Sequence, residues 1–338
     1  MDFLTNIISY LLFPIGFFIQ PGSQYYFLTY LGAGLTAMGV YLTIKRKSRL
    51  SLRAMKELLL PSRLLSHDSS KLDVKIFLIA AYFLLLQALL VGGATTVSMS
   101  GTLATLNLFF GPAPAPMGSS YLITGVTMLL VFLAVEFGYW FSHFLMHKLP
   151  FLWEFHKVHH SAEVLTPLTE WRQHPIELLL FPALVSAAAC LVQGPMVWYF
   201  GQTAQVVDPL KANLLLIAFW FTILHLRHTE LPFYATGLLG KIIQAPAHHQ
   251  VHHSTDPKHF DTNLGYCLSI WDWAFGTLYV PKKGEKFEFG LGHQDAALET
   301  AVGSVIAPFR RAGHMIFCAF KGKIQNRKKM LDSVRWLR

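Results

Sequence analysis

The sequence predicts an all-α integral membrane protein. It would have about four or more transmembrane helices and a cytosolic, histidine-rich cap suited to two metal ions. Three observations predict this. The 338 residues are 53% hydrophobic and only 14% charged, whereas a soluble domain is nearer a quarter charged. Apolar runs of roughly 20 residues, enough for a helix across ~30 Å of hydrocarbon, recur along the chain. Between them lie three histidine clusters, His143-x-x-x-His147, His156-x-x-His159-His160 and His249-x-x-His252-His253, with His228 between the second and third.

Residues 5–20 form a short apolar run, interrupted by Pro14 and ended by Pro21, that reads as a first span or an interfacial helix. Spans are expected over 26–44, 74–97 and 121–142. The segment 45–73 carries Lys45, Arg46, Lys47, Arg49, Arg53 and Lys56, which the positive-inside rule places in the cytoplasm. Residues 98–120 are uncharged and contain Gly-Pro-Ala-Pro-Ala-Pro, as suits an outer loop. The next span then delivers His143 and His147 to the cytoplasmic boundary. The stretch 176–224 is apolar in two halves, separated by Gly194-Pro195 and then by Gln202 to Lys211. Read as a helical hairpin, it leaves both ends on one side and all the clusters in the cytosol.

Residues 225–295 read as a mixed loop and helix cap. The domain organisation expected is a membrane region over 1–115, a catalytic region over 116–295 and a basic tail over 296–338. No basic n-region or cleavage pattern marks the start, so no cleaved signal peptide is expected. The chain shows no Lys-rich retrieval signal at its C-terminal end. That favours a plasma or inner membrane over the endoplasmic reticulum; a bacterial inner membrane is expected, or the endoplasmic reticulum for a eukaryotic host. Basic residues exceed acidic ones by nine. Such an excess can suit nucleic acid, but here it flanks apolar segments, so no nucleic-acid partner is expected. Cys190, Cys267 and Cys318 are too scattered for a disulfide framework or a thiolate site.

His143 and His147 are four residues apart and share a helix face. His156, His159 and His160 can do likewise on the next helix, and His249, His252 and His253 repeat that pattern. Imidazole suits iron, copper, nickel or zinc. Eight or nine ligands exceed what one octahedral ion accepts, so the count points to two ions. A membrane metal-binding or transport protein is the alternative of another class. Against it, the histidines cluster at an interface and do not line successive spans at the midplane.

Other polar residues are candidates for the surroundings of the metals. Glu136 lies within an apolar helix seven residues before His143, where an ionisable group needs a partner or a task. His174 precedes an apolar helix and either orients a ligand or caps that helix. His225 is an alternate ligand, His248 a neighbour, and His259 a candidate to orient an imidazole. Glu170, Glu177, Glu230, Asp261 and Asp272 can anchor imidazole N–H groups, and Arg172 is expected to pair with one of these acids. His67, His293 and His314 read as ordinary surface or tail residues. The run Trp271 to Thr277 is expected to pack the metal bundle at the membrane surface.

The chain resembles the fatty acid hydroxylase and sterol desaturase superfamily of membrane di-iron enzymes over about 120–280. The resemblance rests on His143-x-x-x-His147, His156-Lys-Val-His159-His160-Ser161, Thr169-x-x-Arg172-x-His174-Pro175 and His249-Gln-Val-His252-His253-Ser254. It continues through Asp261-x-Asn263-x-Gly265 and Trp271-Asp272-x-x-Phe275-Gly276-Thr277.

It implies that His143, His147, His156, His159, His160, His228, His249, His252 and His253 bind two irons near the cytosolic face. Glu136, Arg172, His174 and Glu230 are then candidates for catalytic support. Many relatives read Asn-Leu-Arg-His-Ser-His where this chain has His225-Leu-Arg-His228-Thr229-Glu230. That departure makes Glu230 a candidate ligand or hydrogen-bond acceptor. The activity implied is O2-dependent hydroxylation of an unactivated C–H bond in a membrane lipid such as a sterol or fatty acyl chain. Desaturation, including the sterol C-5 type, is the alternative. No dinucleotide, haem or iron–sulfur motif is present. Electrons, ultimately from NAD(P)H, are therefore expected through a separate ferredoxin, cytochrome b5-like protein or reductase. The basic tail and residues 45–63 offer docking surfaces for an acidic redox protein or for lipid headgroups.

Overall fold

The computed structural model describes residues 27–44, 56–57, 61–115, 120–204, 213–231, 233–292 and 294–334. The expected run 5–20, the basic residues from Lys45 to Arg53, and His293 lie outside these. The helices that build the molecule are α1 (Phe27–Ile44), α2 (Asp68–Phe110), α3 (Tyr121–Lys148), α4 (Pro150–His160) and α5 (Pro175–Phe200). Beyond them come α6 (Leu214–Thr222), α7 (Pro246–His252), α8 (Ile270–Phe275) and α9 (Ala301–Val334). Three of them, α2, α3 and α5, are long and apolar enough to cross a membrane, and the apolar α1 and α6 are shorter. The chain is an integral membrane protein with at least three spanning helices among its described residues.

Two boundaries differ from the sequence reading. Residues 98–110, expected in an outer loop, continue α2 to 43 residues, roughly 65 Å of helix. The polar side chains there find partners within the helix or on its neighbour. Thr102 and Thr105 bond the carbonyls of Ser98 and Gly101, and Asn107 accepts the Trp198 indole N–H at 2.8 Å. The helix ends at Gly111, whose φ of 81° suits a residue without Cβ. The second difference is that Gly194-Pro195 does not divide α5, which runs through Pro182 and Pro195 to Phe200. Gly194 instead lets α2 come close, since a Cβ there would meet Thr102 at 2.5 Å. The break comes at Gly201, and the second half of the expected hairpin is the nine-residue α6.

α5 packs against both α2 and α3, and small residues set the closeness, as they do where lipid supplies no hydrophobic drive between helices. Three prolines start helices in the cap. Pro150, Pro175 and Pro246 occupy the first turns of α4, α5 and α7, where the missing N–H costs nothing. Leu149, the residue before a proline, is extended. The chain therefore turns between α3 and α4 and sets their histidines face to face. The first third of α2, with Ser69, Leu72, Asp73 and Ile76, is buried. Leu72 and Ile76 pack with Val158 of α4.

A Cβ on Gly138 would lie 2.8 Å from that of Ala188 and 3.1 Å from the Val185 Cα. Gly138→Leu is expected to force α3 from α5 and cost about 1–3 kcal/mol. A lowered thermal midpoint of the detergent-solubilised protein would show this, and an unchanged one would refute the contact.

Candidate metal centre

The nine histidines gather into two groups. His143, His147, His156, His160 and His252 form one, and His159, His228, His249 and His253 the other. Within each group one ring nitrogen per residue lies within 4.8 Å of all the others. The two H-x-x-H-H patterns do not each serve one site. On α4, His156 and His160 enter the first group and His159 the second. On α7 and its C-cap the split is reversed, with His249 and His253 in the second group and His252 in the first. Residues four apart share a helix face while the intervening one looks to the side, so two such helices interlock across both groups. The groups touch, with the His160 and His253 rings stacked 4.6 Å apart.

The loop 261–264 decides where the protons sit. His143 donates from Nδ1 to the Leu264 carbonyl at 2.9 Å, and His252 from Nδ1 to the Thr262 carbonyl at 2.8 Å. His147 Nδ1 bonds Asp261 Oδ1 at 3.2 Å, and Lys148 donates to the other carboxylate oxygen. His156 Nδ1 bonds Glu177 Oε1 at 2.9 Å. A carbonyl can only accept, so in the neutral ring of His143 the proton is on Nδ1 and Nε2 is a bare lone pair. An ionised Glu177, which can only accept, sets His156 in the same tautomer. Yet these two Nε2 atoms lie 3.0 Å apart, with His160 Nε2 3.2 Å from that of His156. The Nε2 atoms of His147 and His252 are buried without a hydrogen-bond partner. Lone pairs so arranged repel unless a cation lies among them. Two imidazoles at right angles on one ion, ~2.1 Å from it, are roughly 3.0 Å apart. The donor set fits a metal.

The second group converges through Nε2 as well. The separations are 3.1 Å from His228 to His159, 2.7 Å from His249 to His228 and 3.2 Å from His253 to His249. Its outer contacts differ. Among the described residues the Nδ1 atoms of His159, His228 and His253 have no hydrogen-bond partner, and that of His249 faces the Arg227 guanidinium at 3.1 Å. Burial and neighbouring imidazoles hold His159, His160, His228, His249, His252 and His253 well below the usual histidine range. Burial pushes His156 down to about 3. Neutral rings are the form that binds metal.

The loop that supplies these acceptors is held in an uncommon backbone. Asp261 and Asn263 have φ of 59° and 55°, a region that Asp and Asn tolerate better than most residues. Asn263 donates to the carbonyls of His248 and Tyr279 and accepts from the Tyr279 N–H. Asp272 accepts from the N–H groups of Leu264 and Gly265, and burial raises its pKa to about 6. Gly265 has no room for a Cβ, which would lie 2.4 Å from the Leu268 carbonyl oxygen.

A fatty acid hydroxylase family model matches residues 128–277, the span that contains every one of these groups. Over this span, a little under half of its length, the chain is similar to the fatty acid hydroxylase family. It is 35% identical over 167 residues to an alkylglycerol monooxygenase of Xenopus tropicalis, covering 49% of this chain and 33% of that protein. The human alkylglycerol monooxygenase is 31% identical over 167 residues, with coverages of 49% and 33%. An ornithine lipid hydroxylase of Rhizobium tropici is 28% identical over 189 residues, covering 55% of this chain and 51% of that protein. The matched region thus spans only about a third of the alkylglycerol monooxygenases. No solved structure matches the chain.

Against this superfamily's motifs, the remaining candidates fall outside both histidine groups. Glu136 is fully buried and accepts from the Cys267 and Leu268 N–H groups, so it holds the far end of the 263–268 loop. Arg172 does not pair with any of the five acids considered from sequence. Its partner is Asp73 at 2.9 Å, with Ser69, Ser161 and the Val158 carbonyl completing the clamp. Asp73 lies on α2 about a hundred residues away in sequence, and nothing local points to it. His174 caps α5 by accepting the Ile176 N–H and donates to the Val305 carbonyl. Glu230 pairs with Arg63 at 2.6 Å, near the surface. His225 bonds Thr29 at 2.8 Å and stacks on Tyr30 of α1. His248 donates to the Gly240 carbonyl, and His259 lies beside Glu285 and Tyr279. Of the acids expected to anchor imidazoles in the two groups, Glu177 and Asp261 do so. Glu170 lies 3.9 Å from His225, and burial raises it to about 7.

Neutralising the Asp261 carboxylate weakens its hold on the His147 ring. Asp261→Asn is expected to weaken metal binding about 10–100-fold, measured by competition with a chelator. Full retention of affinity would refute its role.

A pH effect follows from the depressed histidines. The unfolded chain binds their protons from about pH 6.5 downward, but the folded chain does so only near the lowered values, about 3 for His156. Below about pH 6.5 the unfolded state therefore gains more protons, and stability falls as pH falls. Metal-stripped protein is expected to melt at a lower temperature at about pH 5.5 than at about pH 7.5. An equal or higher midpoint at the lower pH would contradict this.

Proposed function

We propose that the protein is an O2-dependent di-iron oxidoreductase that hydroxylates an unactivated C–H bond of a membrane lipid. The observation that carries this is the pair of adjoining all-imidazole groups, five and four histidines, with ring nitrogens converging in each. Imidazole accepts several transition metals, and oxygen chemistry selects a redox-active one, which favours iron over zinc. Hydroxylation is preferred over desaturation because the similar proteins from frog, human and Rhizobium are named as lipid monooxygenases or hydroxylases.

His143, His147, His156, His160 and His252 would hold one iron, and His159, His228, His249 and His253 the other. Bound there, the irons supply O2 activation and the removal of hydrogen from an unreactive carbon. The chain supplies orientation and exclusion of water. Glu177, Asp261 and the Leu264 and Thr262 carbonyls fix ring tautomers and strengthen their donation. Toward the membrane helices, Phe181, Tyr139, Tyr266 and Phe219 form an aromatic wall. Tyr139 stands 4.7 Å from Phe181 and 4.4 Å from Tyr266, and His143 stands 5.9 Å from Phe181. Such a wall suits an apolar tail and keeps bulk water from the reacting carbon. Arg227 crosses this wall to His249, with its guanidinium over the Tyr139 and Tyr266 rings.

One oxygen atom passes to the lipid and the other to water, which consumes two electrons. With no flavin, haem or iron–sulfur motif in the sequence, a separate donor protein delivers them. The basic segment near residues 45–56 supports a centre on the cytosolic side.

The test is accurate-mass lipid analysis of cells expressing the wild-type chain or His252→Ala, with iron and oxygen supplied. A lipid heavier by one oxygen is expected in wild type alone. A species lighter by two hydrogens would replace hydroxylation with desaturation. Metal flux into proteoliposomes with no altered lipid would replace the enzyme with a transporter.

A further inference from the structure

The C-terminal helix α9 takes no part in either histidine group, yet one of its faces is left uncovered by the described residues. Ser304 and Ala312 are buried against the cap, and Ala312 packs with Met146, Leu152 and Phe155. Beside that buried strip lie Val302, Ile306, Phe309, Ile316, Phe317 and Phe320, all exposed, with Val302, Phe317 and Phe320 at 63–66%. At ~100° per residue these six fall within an arc of about 100°. Arg310, His314 and Lys321 follow on the next part of the circumference and are exposed too. An open depression of about 470 Å³ places Val302 and Ile306 next to Arg310 and Arg311. The helix thus has a packed side, an apolar side and a basic edge, in that order around its axis.

Two contacts fix its height relative to the membrane. His174, the N-cap of the spanning helix α5, donates to the Val305 carbonyl at 3.0 Å. Phe309 lies 4.9 Å from the His174 ring and 5.5 Å from Phe155. Residues 305–309 are therefore held where α5 enters the apolar layer. The sequence beyond keeps the same sign of charge, with seven basic residues from Lys321 onward against the single acid Asp332. Arg311 is already committed, in a bidentate pair with Asp295 at 2.7 and 2.9 Å.

We propose that α9 is an interfacial helix that lays its Val302–Phe320 apolar face into the membrane surface and binds anionic phospholipid headgroups along its basic edge. An apolar face and a cationic flank on one helix are the requirements for such binding, and each Lys or Arg near an anionic surface strengthens it. An acidic protein would satisfy the basic edge but not a six-residue apolar face level with the membrane boundary. Because α9 also packs on α4, the helix that carries His156, His159 and His160, membrane attachment braces the metal centre against the bilayer.

The experiment uses the full chain in lipid nanodiscs with Cys318→Ser as background, since Cys190 and Cys267 are buried. An environment-sensitive fluorophore is attached at Phe317→Cys or, on the basic edge, at His314→Cys, and brominated acyl chains serve as quencher. The label at 317 is expected to emit further to the blue and to be quenched at least about twofold more than that at 314. The difference is expected to widen when phosphatidylglycerol replaces part of the phosphatidylcholine, and to shrink in Arg310→Gln/Lys321→Gln. Equal, water-like emission at both positions in anionic nanodiscs would overturn the proposal. So would protection of position 317 that appears only on adding an acidic redox protein. Quenching indifferent to phosphatidylglycerol would overturn the anionic preference.

Discussion

The centre depends on which nitrogen of each imidazole carries the proton. A neutral ring has one donor and one acceptor, and whatever occupies the donor side commits the other side to a lone pair. In the first group the loop 261–264 makes that choice for three of five rings, through a carboxylate and two carbonyls. The loop can do so only because its backbone is bent through two left-handed residues and nailed by buried carboxylates, Asp272 at Leu264 and Gly265 and Glu136 at Cys267 and Leu268. Those acids never touch a histidine. They set the direction of carbonyls that do, so their influence on the centre passes through the backbone.

The membrane portion serves the same end. α3 ends at the level of the centre, Pro150 redirects the chain into α4, and α5 begins at Pro175 beside both. Close packing of α5 on α3 at Gly138 brings Glu177, near the start of α5, to His156. The first turns of α2 reach the same cap, where Asp73 meets Arg172 and Ser69 meets Arg172 and the Glu163 N–H. An ion pair as fully buried as Arg172–Asp73 contributes little net stability against apolar replacements. It does determine how the α4–α5 connection sits on α2, and Arg172 also holds the Val158 carbonyl one residue before His159.

The clustered histidines were legible because their spacing matches a helix turn, a local property. Apolar segments were legible for the same reason, since about 20 apolar residues are a length that only hydrocarbon explains. Helix ends were less so. Residues 98–110 look loop-like by composition, but their threonines bond the preceding turn, and Asn107 finds Trp198 far away in sequence. Gly194-Pro195 reads as a break, but a glycine can also be the site of a close approach, and only the position of Thr102 distinguishes the two. The division of each H-x-x-H-H pattern between two groups was hidden, because it needs the relative rotation of α4 and α7. So were the pairings of Asp73, Glu177 and Glu230, each set by an element distant in the chain. Asp261 and Asn263 offered a signal in principle, as two residues tolerant of left-handed backbone just before a glycine.

The two groups, alike in donors, are unlike in field. Behind the first stand Glu177 and Asp261, the latter held ionised with its pKa lowered to about 2 by His147 and then Lys148. Behind His249 of the second stands Arg227, a guanidinium cation 3.1 Å from its Nδ1. Carboxylate partners favour added positive charge at the ring they hold, and a guanidinium opposes it. Three Nδ1 atoms of the second group lack any acceptor that would add electron density to their rings. The same nine imidazoles therefore present one position that favours a higher positive charge and another that disfavours it, a difference written entirely in what touches the outer nitrogens. Arg227 also spans Tyr139 and Tyr266, which tie it to the aromatic wall on the membrane side. The electron-poorer group is thus the one mechanically joined to the aromatic wall beside the membrane helices.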